Sequence, residues 1–188
     1  MLKRLEEFGK YVEIAGFRNV KIRDLRDLLE TLNDEKPMQV DVQFFDAVLI
    51  ATWEHLYFAV LNALVAFRSR RNISKSVAVE TLLYASGQSQ IRKATQLLGV
   101  KPSSSDIAVL IVGGQSALIR SVLLTISKNV GGERDDGILE LSEEKSESIQ
   151  RFFGISENQL LAVRHGERFG MALVDLVIEQ MALVAVQS

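Results

Sequence analysis

At 188 residues, with 47% hydrophobic and 24% charged side chains, the chain has the make-up of one globular domain, which excludes general disorder. A formal net charge of −2 supplies no global attraction for nucleic acid or anionic lipid, so either partner would have to be met by a local patch. The absence of cysteine excludes a disulfide framework, a thiolate nucleophile and a thiolate metal site.

The N-terminal MLKRLEEFGKY carries acids where a signal peptide has its apolar stretch, which predicts a cytoplasmic protein. Lys10–Phe17 alternates loosely and reads as a strand. Apolar residues at Ile22, Leu25, Leu28, Leu29 and Leu32 have the spacing of an amphipathic helix, which Asn33–Pro37 breaks. Met38–Phe45 alternates again as a second strand. Asp46 then suits the cap of a long helix lined on one side by Leu49, Trp53, Leu56, Val60, Leu64 and Phe67. Arg68, Arg70 and Arg71 close it, where cations oppose the negative end of the helix dipole.

A helix over Ser76–Ala85 is interrupted by Gly87, and a second, short one runs to Leu98 and stops at Gly99. Ile107–Val112 is a continuous apolar run and predicts a fully buried strand, followed by a helix over Ser116–Val130. The acidic stretch Glu133–Glu147 reads as a solvated loop or an edge strand leading into a helix over Ser142–Phe153. Ser156 or Asn158 starts a further turn, and the chain ends in a helix over Arg168–Val186. Together these elements predict one α/β domain over residues 1–188, a mixed β-sheet packed with helices and a helix pair in the middle of the chain.

Two segments are apolar enough to ask about a membrane. Ala47–Phe67 contains Glu54, His55 and Asn62, and Met171–Val186 contains Asp175 and Glu179. A carboxylate at the bilayer centre costs roughly 2.5–3.5 kcal/mol, so both read as buried helices and no membrane partner is expected.

Catalysis finds little footing. Arg164-His165-Gly166-Glu167 is similar to the signature of the histidine phosphatases, and a small phosphoryl-transfer enzyme built on Arg164 and His165 is the alternative it raises. That chemistry needs a second histidine and further arginines, whereas the one other histidine, His55, falls inside a helix pattern. Two unrelated histidines also provide no metal-ligand spacing. Val112-Gly113-Gly114-Gln115-Ser116 is a strand-to-helix turn lacking the rest of a phosphate-binding fingerprint. No cofactor or metal is predicted.

The charge distribution is more informative. Between Arg68 and Lys101 the bases Arg68, Arg70, Arg71, Lys75, Arg92, Lys93 and Lys101 face one acid, Glu80. Gly87 separates two helices, so first-turn amides of the second are presented beside Gln88 and Gln90. Such amides and the helix dipole attract an anion, the dipole by about 0.3–1 kcal/mol. Glutamine amides and an exposed Ile91 can read or contact a base, with Tyr84 the nearest aromatic candidate for stacking. These features suit the end of a single-stranded nucleic acid better than a duplex. A plain protein-interaction module, with solvated helix-end cations, remains the other reading.

The run Glu80–Val100, ETLLYASGQSQIRKATQLLGV, resembles the central signature of the kinase-binding subunit of the KEOPS complex, the TPRKB-like family, in its archaeal form. Flanking segments agree in order: YVEIAGF with LRDLLETL, VQFFDAVLI, IAVLIVGG and GERFGMALVDL. The resemblance implies a mixed sheet with packed helices and no catalytic activity. It implies a regulatory subunit that docks on the complex's small atypical protein kinase and promotes its activity. It further implies recruitment of tRNA by its 3′ acceptor end, so that the threonylcarbamoyl-transferase subunit, an indirect partner, can form threonylcarbamoyl-adenosine. On that motif Gln90, Ile91 and Arg92 fall on the tRNA-facing signature, beside Gln88. Arg68, Arg70, Arg71, Lys75 and Lys93 are the expected backbone contacts, and Ser89 departs from a basic residue common among relatives. For the kinase, the apolar C-terminal helix is the expected surface, through Leu176, Leu183, Val184 and Val186.

Overall fold

A computed structural model describes residues 1–21, 32, 39–163 and 169–187. Five strands, β1 (Leu2–Leu5), β2 (Lys10–Arg18), β3 (Val40–Asp46), β4 (Ile107–Gly113) and β5 (Glu133–Arg134), form one sheet in the order β1-β2-β4-β3, with β5 pairing β2 off this path. Every pairing is antiparallel. The predicted helix over Ile22–Leu32 and the break at Asn33–Pro37 lie outside the described residues, apart from Leu32, which is buried in the core.

The continuous apolar run of β4 is explained by cover on both faces. Ala108, Leu110 and Val112 point into one core, and Ile107, Val109 and Ile111 into the other, as the two-residue period of a strand requires. The first core packs against α1 (Trp53–Ser69), α2 (Val77–Ser86) and α3 (Ile91–Leu98). The second packs against α4 (Ser116–Asn129) through Ile119, Val122 and Ile126. A third cluster joins α5 (Glu143–Phe153), α6 (Glu157–Val163) and α7 (Phe169–Gln187) through Ile149, Phe153, Leu160, Leu173 and Val177.

Asp46 does not cap the long helix. Its Oδ1 accepts from the Val48 N–H at 3.2 Å and caps a short 3-10 turn over Ala47–Leu49, while Oδ2 accepts from the Ser104 hydroxyl at 2.6 Å. Leu49 therefore belongs to that turn, and α1 starts at Trp53, burying His55, Leu56, Ala59, Val60 and Ala63. The acidic stretch after α4 supplies β5 and a 3-10 turn over Asp136–Leu139 that lies against β2. There Gly16 allows a close approach: a methyl group on it would come within 2.6 Å of Ile138 Cγ1 and collide with the Asp135 carbonyl oxygen. Gly16→Ala is accordingly expected to cost roughly 1–3 kcal/mol, as overpacking does, read as a drop in thermal midpoint of several degrees. An unchanged midpoint would contradict this packing.

Candidate functional site

The central helix pair is built around one αL glycine. Gly87 has φ +64°, and its N–H caps α2 by bonding to the carbonyls of Leu83 and Tyr84. The chain then turns through Gln88, Ser89 and Gln90 into α3. Gln90 occupies the N-cap position without a side-chain cap bond, so the amides of Ile91, Arg92 and Lys93 form an open first turn. Ala94 and Leu98 bury the inner face of α3. Ile91 is 44% exposed between the exposed Gln90, Arg92 and Lys93. An apolar side chain is thus ringed by amide and cationic groups at the positive end of a helix.

Glu80, the one acid of the basic stretch, is fully buried. Its carboxylate accepts from the backbone N–H groups of Ile73 and Ser74, the latter at 2.7 Å, and so pins the loop that carries Lys75. The surface contributed by Arg68–Lys101 consequently carries only positive charge. Structure nonetheless divides that patch. Arg70, Arg71 and Lys75 sit at the N-terminal end of α2, and Arg92 and Lys93 beyond its C-terminal end, separated by about 15 Å of helix. Arg68 is engaged elsewhere: its guanidinium pairs with Glu7 and stacks over Phe8 at 4.9 Å. Tyr84 is not available for stacking, since it is only 5% exposed, and burial together with the nearby Glu80 raises its phenol pKa.

An aromatic does stand near the turn, from a different part of the chain. A cleft of about 390 Å³ opens beside Gly87 and Gln88 and is walled by Leu97, Phe152, Gln180 and Leu183. Phe152 is half-buried and held edge-on to Phe153 at 4.7 Å, and Phe153 in turn meets the buried His55 ring at 5.8 Å. Gln180 donates from Nε2 to the Phe153 carbonyl oxygen at 2.8 Å. The sequence carries no signal for Phe152, because nothing local connects Phe152-Phe153-Gly154 to a turn more than sixty residues upstream.

The expected kinase-facing residues do not share one surface. Leu176 and Val184 turn inward at 7% and 1% exposure, whereas Leu183, at 55%, lies on the cleft beside Gln88. The side chain of Val186 is outside the described residues. A further exposed apolar surface of α7 lies near its start, where Met171, Val174 and Ile178 meet Phe58 of α1 across a cleft of about 450 Å³ that also includes Glu54 and Asp175.

Among the described residues nothing assembles a reaction centre. Arg164 and His165 lie outside the described residues. His55 is fully buried with both ring nitrogens hydrogen-bonded, so it has no access to a substrate. Among the described residues no cluster of potential metal ligands occurs, and no helix is long and apolar enough to cross a membrane.

Comparison with known proteins agrees with a binding role. The family described as kinase binding protein CGI-121 matches residues 17–185. The chain belongs to this family. A curated relative from Methanocaldococcus jannaschii, named regulatory protein Cgi121, is 30% identical over 171 residues, spanning 91% of this chain and 95% of the relative. Membership in the CGI-121 family makes the chain a regulatory, kinase-binding protein and not an enzyme. The family match includes both the Gln88–Lys93 turn and the α1/α7 cleft.

Proposed function

We propose that the protein is the kinase-binding regulatory subunit of a KEOPS complex. In this reading it activates the small atypical protein kinase and recruits tRNA by its single-stranded 3′ end for threonylcarbamoyl-adenosine formation. The observation that carries the tRNA half is the exposed Ile91 at the open first turn of α3, flanked by Gln90, Arg92 and Lys93 and next to an aromatic-walled cleft. Helix amides and cations meet the phosphate, while Ile91, the glutamines and the cleft offer contacts to a base. A single strand can present its bases to such a surface, whereas a duplex cannot. Arg70, Arg71 and Lys75 extend the cationic surface at the other end of α2. A mobility-shift assay with intact tRNA, and with tRNA trimmed of its 3′ single strand, tests this assignment. Binding of the intact form alone is expected, and equal affinity for both would refute it.

For the kinase, the surface of the C-terminal helix that fits best is its groove with α1, near the start of α7. Phe58, Met171, Val174 and Ile178 are apolar, and Glu54 and Asp175 at the groove suit a partner helix bearing an apolar face and flanking cations. Met171 is 54% exposed, so Met171→Asp should fold normally. That substitution is expected to weaken kinase capture about tenfold, the loss typical of one interface contact, with the tRNA shift unchanged. Undiminished kinase capture would place the interface elsewhere.

A further inference from the structure

The cleft beside Gln88 does not end at Phe152. The same side chain lines a second cleft, of about 420 Å³, which continues along α5. Arg151, Ser148, Lys101, Ser103 and Val48 also border this second cleft, together with Asp46. Asp46 is largely committed, because its two oxygens accept from Val48 N–H and from the Ser104 hydroxyl. The cations are not committed in the same way. Among the described residues neither Arg151 nor Lys101 forms an ion pair, and Lys101 is held near the end of α3 by donating to the Leu97 carbonyl oxygen at 3.3 Å.

Phe152 therefore stands at the junction of two clefts, with amides on one side and cations on the other. Its ring is fixed from behind by Phe153 in an edge-on contact, so its orientation is set before any ligand arrives. On the first side Gln180 spends its Nε2 on the Phe153 carbonyl, which leaves its amide oxygen as an acceptor near the cleft. A groove that follows a phosphate backbone with cations and offers an aromatic for base stacking is the arrangement by which proteins hold single strands. Charge selects the occupant: a surface flanked by Arg151 and Lys101, in a chain of net charge −2, suits a polyanion better than a basic or neutral peptide.

We propose that Phe152, flanked by Arg151 and Lys101, forms a second nucleotide-binding position, so that the bound strand runs from the Gln88–Arg92 turn across Phe152 and along α5. The proposal rests on the reading of the turn as a single-strand site and extends it by residues on a separate segment of the chain. A base stacks on Phe152, its hydrogen-bonding edge meets Gln180 or Gln88, and the adjoining phosphate pairs with Arg151 or Lys101. At least two nucleotides then contribute to affinity, and a mononucleotide does not suffice.

The test uses the full chain with intact tRNA and with short single-stranded oligonucleotides of one to four residues. Phe152→Ala is expected to weaken binding about 5- to 150-fold, the range measured for loss of one stacked base. Phe152→Leu keeps the apolar volume and removes the ring, so a thermal midpoint near the parent's with weakened binding separates stacking from folding. Arg151→Gln should lower the slope of log affinity against log salt by about 0.7. Parent-like affinity in Phe152→Leu and Arg151→Gln, while Ile91→Glu still weakens binding, would overturn the second position and leave the turn's assignment standing. A parent that binds neither tRNA nor oligonucleotide would overturn both.

Discussion

Ile91→Glu is expected to reduce tRNA affinity by roughly 30- to 150-fold while leaving thermal stability and kinase capture unchanged. Ile91 is 44% exposed at the first position of α3, so it is not needed to fill the core. Completing its burial under a base contributes about 1 kcal/mol, part of the 1.5–3 kcal/mol for full burial of such a side chain. A carboxylate in its place adds repulsion of about 1–2 kcal/mol toward a phosphate a few ångströms away at the solvent boundary. The sum, about 2–3 kcal/mol, gives the stated range. Folding should not suffer, because an acidic side chain in the first turn of a helix favours the dipole. A gel-shift titration of parent and variant, with circular dichroism melts of both, reads the two effects apart. Affinity within twofold of the parent would remove Ile91 from the interface. A lowered melting point would mean that the loss is structural.

Where a pattern is local, the sequence anticipates the structure closely. The alternation of Lys10–Phe17, the apolar run Ile107–Val112 and the glycines at 87 and 99 place β2, β4 and the α2–α3 break within a residue or two. β1 escaped because LKRL is short and polar, and it becomes a strand only by pairing with residues 10–13 of β2. Asp46 caps a short 3-10 turn and not the long helix, because a cap residue identifies the start of some turn but not its length. The site was half legible. Gln88–Lys93 is contiguous, and its glycine, amides and cations stand together in the chain. The surface around it is not contiguous, since Leu97, Phe152, Gln180 and Leu183 meet only when α3, α5 and α7 pack. Composition also treated the basic stretch as one patch. It could not anticipate that α2 would hold its two halves apart, that Arg68 would turn to Glu7 and Phe8, or that Glu80 would be internalised.

Acid should destabilise the protein through His55, behind the proposed nucleic-acid site. The Nδ1 atom accepts the Ala51 N–H at 3.2 Å, and Nε2 bonds the Ala85 carbonyl oxygen at 2.8 Å, which requires the neutral ring with its proton on Nε2. Burial lowers the imidazole pKa from 6.5 to about 4, the bond to Ala85 only partly opposing it. The unfolded chain thus takes up a proton near pH 6.5 that the folded chain refuses until about pH 4. The stabilisation is present in full above pH 6.5, falls across that window, and is spent below about pH 4, a loss of about 3 kcal/mol. His55→Gln retains an acceptor and a donor but does not titrate. Relative to the parent, its stability deficit at pH 7 should therefore shrink by about 3 kcal/mol on going to pH 4, a change that cancels the contribution of the carboxylates common to both proteins. Parallel urea-denaturation curves at both pH values would rule out the assigned role. The ring also fixes the last turn of α2 through Ala85 and backs Phe153, on which Phe152 rests. The folded chain keeps this ring neutral until about pH 4, so nucleic-acid affinity should hold above that pH and fall only below it, where protonation of Nδ1 breaks the bond from Ala51, even though binding to phosphate alone would not be expected to weaken as the protein gains positive charge.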